Sequence, residues 1–256
     1  MQELLRINSI TDFSEEDQTK INDYIPKINL GNKQFIMTYA ADEQKNISGY
    51  SDMMLELSKD NYLLSLFETM NTLISTVNKF NDEIETRTGL LSFLKIDTSK
   101  FLKQYKYTEA LVADCENKLK EELRNLMKKN AYFKRLYNNV LENYKKLAMY
   151  IVAGEMKIQT GEPENIDLFR DKVMNLRVSS NIANQMATQL MLSQRSVDAA
   201  IEKIKSISNH TIPLWKNQVS SLLQSGGQKQ DIIKNINRVN NDVTSGIEND
   251  IKALRG

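Results

Sequence analysis

The chain has 256 residues, enough for one large domain or two small ones with a sizeable core. Its nine glycines and three prolines fall well below the roughly 12% that these residues ordinarily contribute, which excludes a sheet-rich, collagen-like or proline-rich disordered chain. The 34 basic and 33 acidic residues leave a net charge of +1, so no broad electrostatic field favours nucleic acid as a partner. We therefore predict an all-α protein with long helices.

The first predicted element is a short helix with Asp12 or Ser14 as its N-cap. We expect it to end before Pro26, because a proline disfavours helical geometry in the residue before it. After a turn at Gly31, the apolar positions follow one helical face and predict a single helix over residues 33–57.

A second N-terminal helix is predicted over residues 62–84 by the same apolar spacing. Residues 86–98 read as a linker that contains a short apolar segment, residues 90–94. This segment is flanked by basic side chains, and it is the basis of one alternative, a weak peripheral association with a membrane surface. We divide the chain here into a short-helix region, 1–96, and a hairpin region, 97–256, with one continuous domain as the alternative.

The most periodic stretch follows the linker. Apolar residues recur at every seventh position: Tyr105, Val112, Leu119, Leu126, Phe133, Val140 and Leu147. This heptad spacing predicts one coiled-coil-like helix of about sixty residues. We expect it to end at Thr160, before a glycine and a proline.

A second seam runs from Phe169 to Ser208 with alternating spacings of four and three residues. Two long helices joined by a short loop pack antiparallel, so we expect an elongated bundle built on a helical hairpin, with the shorter N- and C-terminal helices packed against it. Pro213 is expected to break or kink the second helix, because it cannot donate a hydrogen bond to residue 209. An apolar stripe over residues 232–254 predicts the last helix.

The chain lacks the parts for most catalytic and metal chemistry, since Cys115 is its only cysteine and His210 its only histidine. These counts exclude an internal disulfide, a thiol metal cage and a His-Glu-Xaa-Xaa-His zinc site, and they leave a catalytic triad without support. We therefore predict no enzymatic activity, no catalytic residue, no metal and no cofactor. The N-terminus lacks a signal-peptide pattern and no run of eighteen apolar residues occurs, so we expect a cytoplasmic location.

Residues 178–194 carry no charge, although a quarter of the chain is charged. Their amides have two interpretations: a helix centre with amides hydrogen-bonded across the bundle, or a neutral polar pocket for a small ligand or a partner helix. In the second case an oxyanion would also contact Arg177 or Arg195. The amide side chains are Asn181, Asn184, Gln185, Gln189 and Gln194.

Single residues stand out against the helical pattern. Gly154 interrupts an apolar stretch. A glycine inside a helix usually occurs where a neighbouring element packs too closely to leave room for a side chain. Glu155 is predicted to form a structural ion pair with Lys157, Lys172 or Arg177. Trp215 is the sole tryptophan, and we expect it to be a buried anchor.

Residues 209–218 read N-H-T-I-P-L-W-K-N-Q, and residues 147–157 read L-A-M-Y-I-V-A-G-E-M-K. These segments resemble two signatures of the TelA family of toxic-anion (tellurite) resistance proteins, N-T-I-P-L-W-K-N-Q and L-x-x-Y-I-x-A-G-E-x-K. Residues 39–52 are similar to a third family pattern, Y-G-A-x-x-Q-K followed by F-S-D. The positions that we carry over, in a structural or interaction role, are Tyr150, Gly154, Glu155, Lys157, Gln185, Gln189, Gln194, Ile212, Pro213, Leu214, Trp215, Lys216, Asn217 and Gln218.

The chain also departs from the family pattern. Residues 185–194 lack the proline and the arginine of the family's Q-T-A-P-Q-I-R-L-I-Q segment. The family's C-terminal helical extension is missing after Gly256, which predicts a short or truncated member.

The resemblance implies a cytoplasmic bacterial protein of toxic-anion resistance without an established enzymatic activity. Direct reduction of tellurite needs thiols or a redox cofactor, and a single cysteine without a nucleotide motif supplies neither. We therefore expect a scaffold or adaptor that binds other stress-resistance proteins or its own copies. Its predicted contact surfaces are the exposed remainder of the seam and the stripe over residues 232–254. An oxyanion-binding sensor that uses residues 178–194 is the alternative.

Overall fold

The computed structural model describes residues 9–59, 61–86, 98–160, 164–225 and 229–255. No strand occurs among them, and their regular structure is helical, which confirms the predicted all-α class. Long helices pack with shorter ones, as expected for a helical bundle. The helices are α1 (Glu15–Tyr24), α2 (Lys33–Thr38), α3 (Ala41–Lys59), α4 (Leu64–Thr86), α5 (Thr98–Thr160), α6 (Ile166–Ser206), α7 (Ile212–Gln224) and α8 (Lys229–Arg255).

The predicted long helix is α5, which has 63 residues and ends at Thr160 as expected. All seven residues of its heptad series are buried. The second seam is also buried along α6, apart from Gln194, which is half-buried. Heptad spacing therefore identified the sides of both long helices that face the core.

The N-terminal elements confirm one prediction and correct another. Ser14 caps α1 by accepting a hydrogen bond from the backbone N–H of Asp17, and α1 ends at Tyr24, before Pro26. The single helix predicted over residues 33–57 is wrong, because α2 and α3 are separated at Ala40, whose φ of 53° lies in the left-handed region. A residue in that conformation cannot continue a right-handed helix, and the apolar spacing runs on across the break.

Pro213 interrupts the α-helical hydrogen bonding, as predicted, through a π-helical turn over Ile207–Thr211. The N–H of Ile212 bonds to the carbonyl of Ile207, five residues back, while Thr211 and Ile212 keep right-handed helical dihedral angles. The wider turn accommodates a residue that has no N–H and whose ring would clash with the carbonyl four residues before it.

The chain forms two compact units: residues 1–60 with 131–194, and residues 61–130 with 195–256. The first unit combines α1–α3 with the facing parts of α5 and α6, and the second combines α4, α7 and α8 with the remaining parts. The predicted boundary between residues 96 and 97 and the apolar segment 90–94 lie outside the described residues, so both stay predictions.

The second unit shows the antiparallel run of the hairpin. Asn130 of α5 bonds to Asp198 of α6, and Glu116 of α5 bonds to Lys216 of α7. Residue numbers therefore fall along one arm as they rise along the other, which is the predicted direction.

The predicted contact surface over residues 232–254 is wrong. Helix α8 packs against α4 and α7, and its apolar stripe faces them. An apolar stripe identifies the side of a helix that will be covered, but the same pattern arises whether the cover is another protein or the chain's own helices. The buried members of the stripe are Ile232, Ile236, Val239, Ile247 and Ile251.

Candidate functional site

Two of the three family-like segments meet in the first unit. The hydroxyl of Tyr39 donates a hydrogen bond to the backbone carbonyl of Tyr150 over 2.8 Å, and the two rings pack edge to face with centroids 5.4 Å apart. Tyr39 is 2% exposed, and burial raises the pKa of its phenol. The break at Ala40 precedes α3, on which Gln44 of the same segment reaches α6.

Gly154 of α5 lies against Val173 and Phe169 of α6. A Cβ atom at Gly154 would stand 2.7 Å from Cγ2 of Val173 and 3.5 Å from the ring of Phe169. A side chain of any size would collide there. The predicted close contact is confirmed, and it explains why a residue with low helix propensity occupies this position.

Glu155 pairs with Arg177, one of its three predicted partners. The Nε of Arg177 donates to Oε1 of Glu155 over 2.6 Å, and a second guanidinium nitrogen contacts the same oxygen. Lys172 instead donates to the side-chain oxygen of Gln44 over 2.6 Å, and burial lowers the pKa of its ammonium group. Lys157 is half-buried near the end of α5. The predicted structural ion pair is therefore confirmed.

Two cavities adjoin this segment. One has a volume of about 330 Å³ and is lined by residues of α1, α3 and α5, including Tyr24, Glu43 and Tyr150. The other, of about 340 Å³, lies beside the Glu155–Arg177 pair, and Arg170 and Gln159 also line it. Both combine apolar walls with a few charged side chains, a composition that small-molecule sites commonly show.

Trp215 anchors the third segment in the core of the second unit. It is 1% exposed, and its indole N–H donates to the side-chain oxygen of Asn240 over 2.7 Å. The amide nitrogen of Asn240 then donates to Asn81 over 3.0 Å, and the ring of Phe80 packs edge to face on the indole. The predicted buried anchor is confirmed. The sequence analysis missed Asn240. The only indication in the sequence was that this polar residue lies next to the apolar stripe of α8.

The backbone of the same segment is held by Tyr105. Its hydroxyl donates to the carbonyl of Lys216 over 3.1 Å, and burial, with the nearby Glu109 carboxylate, raises the pKa of Tyr105 to about 12. The Lys216 ammonium bonds to Glu116 over 3.0 Å. Hydrogen bonds from Lys120 and from Lys216 hold the pKa of the Glu116 carboxyl below its usual value.

The remaining positions of this segment divide between the core and the surface. Ile212 is buried and Pro213 is half-buried, whereas Leu214, Asn217 and Gln218 are exposed. The segment therefore both fixes the core of the second unit and presents side chains to solvent.

The uncharged segment lies on α6 and presents most of its amides to solvent. Asn181, Gln185 and Gln189 are exposed, and Asn184 and Gln194 are half-buried. The interpretation that these amides hydrogen-bond across the bundle interior is wrong. The small and apolar residues of the segment occupy its inner side instead: Ala183, Met186, Ala187 and Leu190.

We call the outward side of this helix the α6 face. Its members alternate by four and three residues, as in a heptad repeat, and none is charged. They are Met174, Val178, Asn181, Gln185, Thr188 and Leu192. Met174, Val178 and Leu192 are 67%, 55% and 55% exposed, so apolar side chains stand at both ends of a polar, uncharged centre.

Neither a metal-binding cluster nor a membrane-spanning helix occurs among the described residues. No group of three or more His, Cys, Asp or Glu side chains there is arranged to hold a metal ion. None of the described helices combines the length and the apolar character needed to cross a membrane. Cys115 is buried, and burial raises the pKa of its thiol.

The described residues form an all-α protein that carries three family-like segments, two of them joined in the first unit and one buried in the core of the second. The family model described as toxic anion resistance protein (TelA) matches residues 21–167 and 160–247. The chain belongs to this family. All three segments on which the resemblance rests lie within the matched residues.

Several curated relatives share low identity over most of the chain. The uncharacterized protein Lmo1967 of Listeria monocytogenes is 26% identical over 80% of this chain and 60% of its own length. YaaN of Bacillus subtilis, also named uncharacterized, is 25% identical over 82% and 63%. The TelA-like protein SSP1345 of Staphylococcus saprophyticus is 24% identical over 85% and 66%. The chain thus spans less than two thirds of these relatives, and no solved structure matches it significantly.

Proposed function

We propose that this chain is a non-enzymatic adaptor in a bacterial toxic-anion response, working in the cytoplasm through contacts with other stress-resistance proteins or with its own copies. The observation that carries this proposal is the α6 face. It is an uncharged helical surface, exposed apart from the half-buried Thr188, with apolar residues at its ends.

Single exposed apolar residues are ordinary on a protein surface. Met174, Val178 and Leu192 differ because they recur on one side of one helix, and because no charged residue occurs between positions 178 and 194. A charged side chain solvates a helix surface well and resists burial, so its absence lowers the desolvation cost of covering this helix with a partner.

The family-like positions support the same role. Gly154 and Tyr150 make contacts that fix helices of the first unit, which carries the α6 face, against one another. Such contacts build a rigid support on which exposed residues keep their spacing. An adaptor needs this arrangement, since a preorganised surface loses less conformational entropy on binding.

The proposal is tested in the native host with its own gene deleted. The wild-type chain should restore survival in tellurite, and Val178→Glu should fail to do so although its helical content and unfolding midpoint are unchanged. Met127→Glu is the matched control, because Met127 is similarly exposed (54%) on another helix, and it should restore survival. Full survival with Val178→Glu would contradict the proposal.

A second candidate function, the binding of a small oxyanion, is favoured by the cavity of about 340 Å³ beside Glu155. Arg170 and Arg177 line this cavity, and guanidinium groups suit oxyanions. In this hypothesis the two arginines bind the oxyanion, in place of the amides of residues 178–194 that the sequence had suggested. Tellurite, selenite and phosphate should each be tested for a rise in the thermal unfolding midpoint. The rise should disappear in Arg170→Gln, and its absence from the wild type would remove this candidate.

A further inference from the structure

We propose that the α6 face binds the same face of a second copy of this chain, as an antiparallel pair of α6 helices. The inference rests on the proposed function, because it takes the α6 face to be a contact surface. It adds the identity of the partner and the register of the contact.

The α6 face is complementary to itself when one copy is turned end to end. A two-fold axis beside position 183 brings Met174 opposite Leu192 of the second copy, and Val178 opposite Thr188. At the centre, Asn181 lies opposite Gln185 of the second copy, so amide meets amide. In antiparallel coiled coils each first-position residue of the heptad faces a fourth-position residue, and the alternating spacing of the α6 face satisfies this pairing.

Charge at the two ends of the α6 face fits the same register. Continuing the alternation by one step in each direction reaches Asp171 and Arg195, both exposed on α6. The same axis places Asp171 opposite Arg195 of the second copy, and the reciprocal pair closes the other end. Between these ends no like charges oppose one another, because the axis sets Lys172 and Arg177 opposite the uncharged Gln194 and Gln189 of the second copy.

A parallel pair would not have these properties. It would set Asp171 against Asp171 and Arg195 against Arg195, and like charges across an interface oppose association. The central amides add to the selection of one register, since a polar pair between helices loses its hydrogen bonds when the helices slide. The polar centre also weakens the pair, so we expect dimers to form at high protein concentration.

Sedimentation equilibrium over a range of concentrations tests the pairing. The wild type should form a dimer, and Val178→Glu combined with Leu192→Glu should remain monomeric. Asp171→Arg should weaken dimerisation by at least about tenfold, because it sets two arginines against each other at both ends. Adding Arg195→Asp should restore the wild-type association. Monomeric wild-type protein up to about 1 mM, or no rescue by the double variant, would overturn the inference.

Disulfide trapping tests the direction of the helices. In a Cys115→Ala background, chains with Asn181→Cys are mixed with chains with Gln185→Cys and oxidised. The antiparallel register predicts mixed disulfides in preference to disulfides between like chains, and the reverse preference would overturn it.

If Val178→Glu abolishes resistance while the wild type is monomeric, the second copy is the wrong partner and the adaptor role stands. If Val178→Glu is monomeric but fully resistant, the adaptor role also fails.

Discussion

Gly154 of α5 faces Val173 of α6 so closely that a methyl group on Gly154 would stand 2.7 Å from the Val173 side chain. Val173 is β-branched and has little rotameric freedom in a helix, and Phe169 closes the same space at 3.5 Å. The close approach of the two helices therefore depends on the absence of a side chain at Gly154.

The Gly154→Ala variant tests this relationship. Alanine gains about 1 kcal/mol of helix propensity, but overpacking a filled core costs about 1–3 kcal/mol, so we expect a net loss of up to about 2 kcal/mol in unfolding free energy. Denaturation in urea followed by circular dichroism measures the loss. Adding Val173→Ala should relieve the collision and recover part of the lost unfolding free energy.

A matched control for this variant exists in the same unit. A Cβ atom at Gly49 of α3 would meet nothing within 4 Å, so Gly49→Ala should stabilise the protein by up to about 1 kcal/mol. If both variants shift stability in the same direction, the close contact at Gly154 is not what selects glycine there.

We expect Asn240 to contribute more to the free energy of unfolding than a surface asparagine would. It joins Trp215 to Asn81 through two hydrogen bonds in the core of the second unit. Asn240→Ala leaves the buried indole N–H and the Asn81 amide without this partner, and we expect a loss of about 2–4 kcal/mol. Asn241→Ala, at the exposed neighbouring position, should change unfolding free energy by less than about 0.5 kcal/mol. Equal effects of the two variants in urea denaturation would contradict the buried network.

Acid should weaken the first unit through Asp17. The Lys145 ammonium, 2.5 Å away, and the Ser14 hydroxyl hold the pKa of the buried Asp17 carboxyl below its usual value of 3.8. Because the folded pKa is the lower one, this stabilisation is complete above the unfolded value and is lost as pH falls through the folded value. Asp17→Asn should therefore lose stability at neutral pH and show a shallower decline below pH 4. The control is Asp23→Asn at an exposed position of the same helix, and it should change the unfolding free energy at neutral pH by less than about 0.5 kcal/mol.

We expect the Tyr105 hydroxyl to ionise at a higher pH than an ordinary tyrosine. Its pKa is raised to about 12, mainly by burial, whereas an unfolded tyrosine ionises near 10. The raised folded pKa means that its contribution is complete below pH 10 and is lost as pH rises toward 12. In the tyrosinate absorbance of the folded protein, the difference between wild type and Tyr105→Phe should appear near pH 12. A difference centred near pH 10 would contradict the buried setting of Tyr105.

Sequence periodicity predicted the long helices well because a heptad series reports a stripe that must be buried. It failed at Ala40, where the apolar spacing continues although the backbone turns into the left-handed region. It also failed for α8, whose stripe indicated a covered side without indicating that α4 and α7 cover it. Both errors concern three-dimensional context that local spacing does not contain.

The candidate site was partly predictable for the same reason. Gly154 and Trp215 stood out as residues that need a particular neighbour, but the sequence left three partners for Glu155, and only the structure selects Arg177. The outward direction of Gln185 became visible only once Ala183 and Ala187 were seen to face the core.

Photo-crosslinking in living cells tests the central claim, that the α6 face is a protein-contact surface, most directly. A photoreactive amino acid replaces Gln185 on the α6 face or, as a control, the exposed Met127 of α5. In tellurite-exposed cells, position 185 should give a discrete covalent adduct, at twice the mass of the chain if the partner is a second copy, and position 127 should give little. No adduct at position 185 above the level at position 127 would contradict the claim.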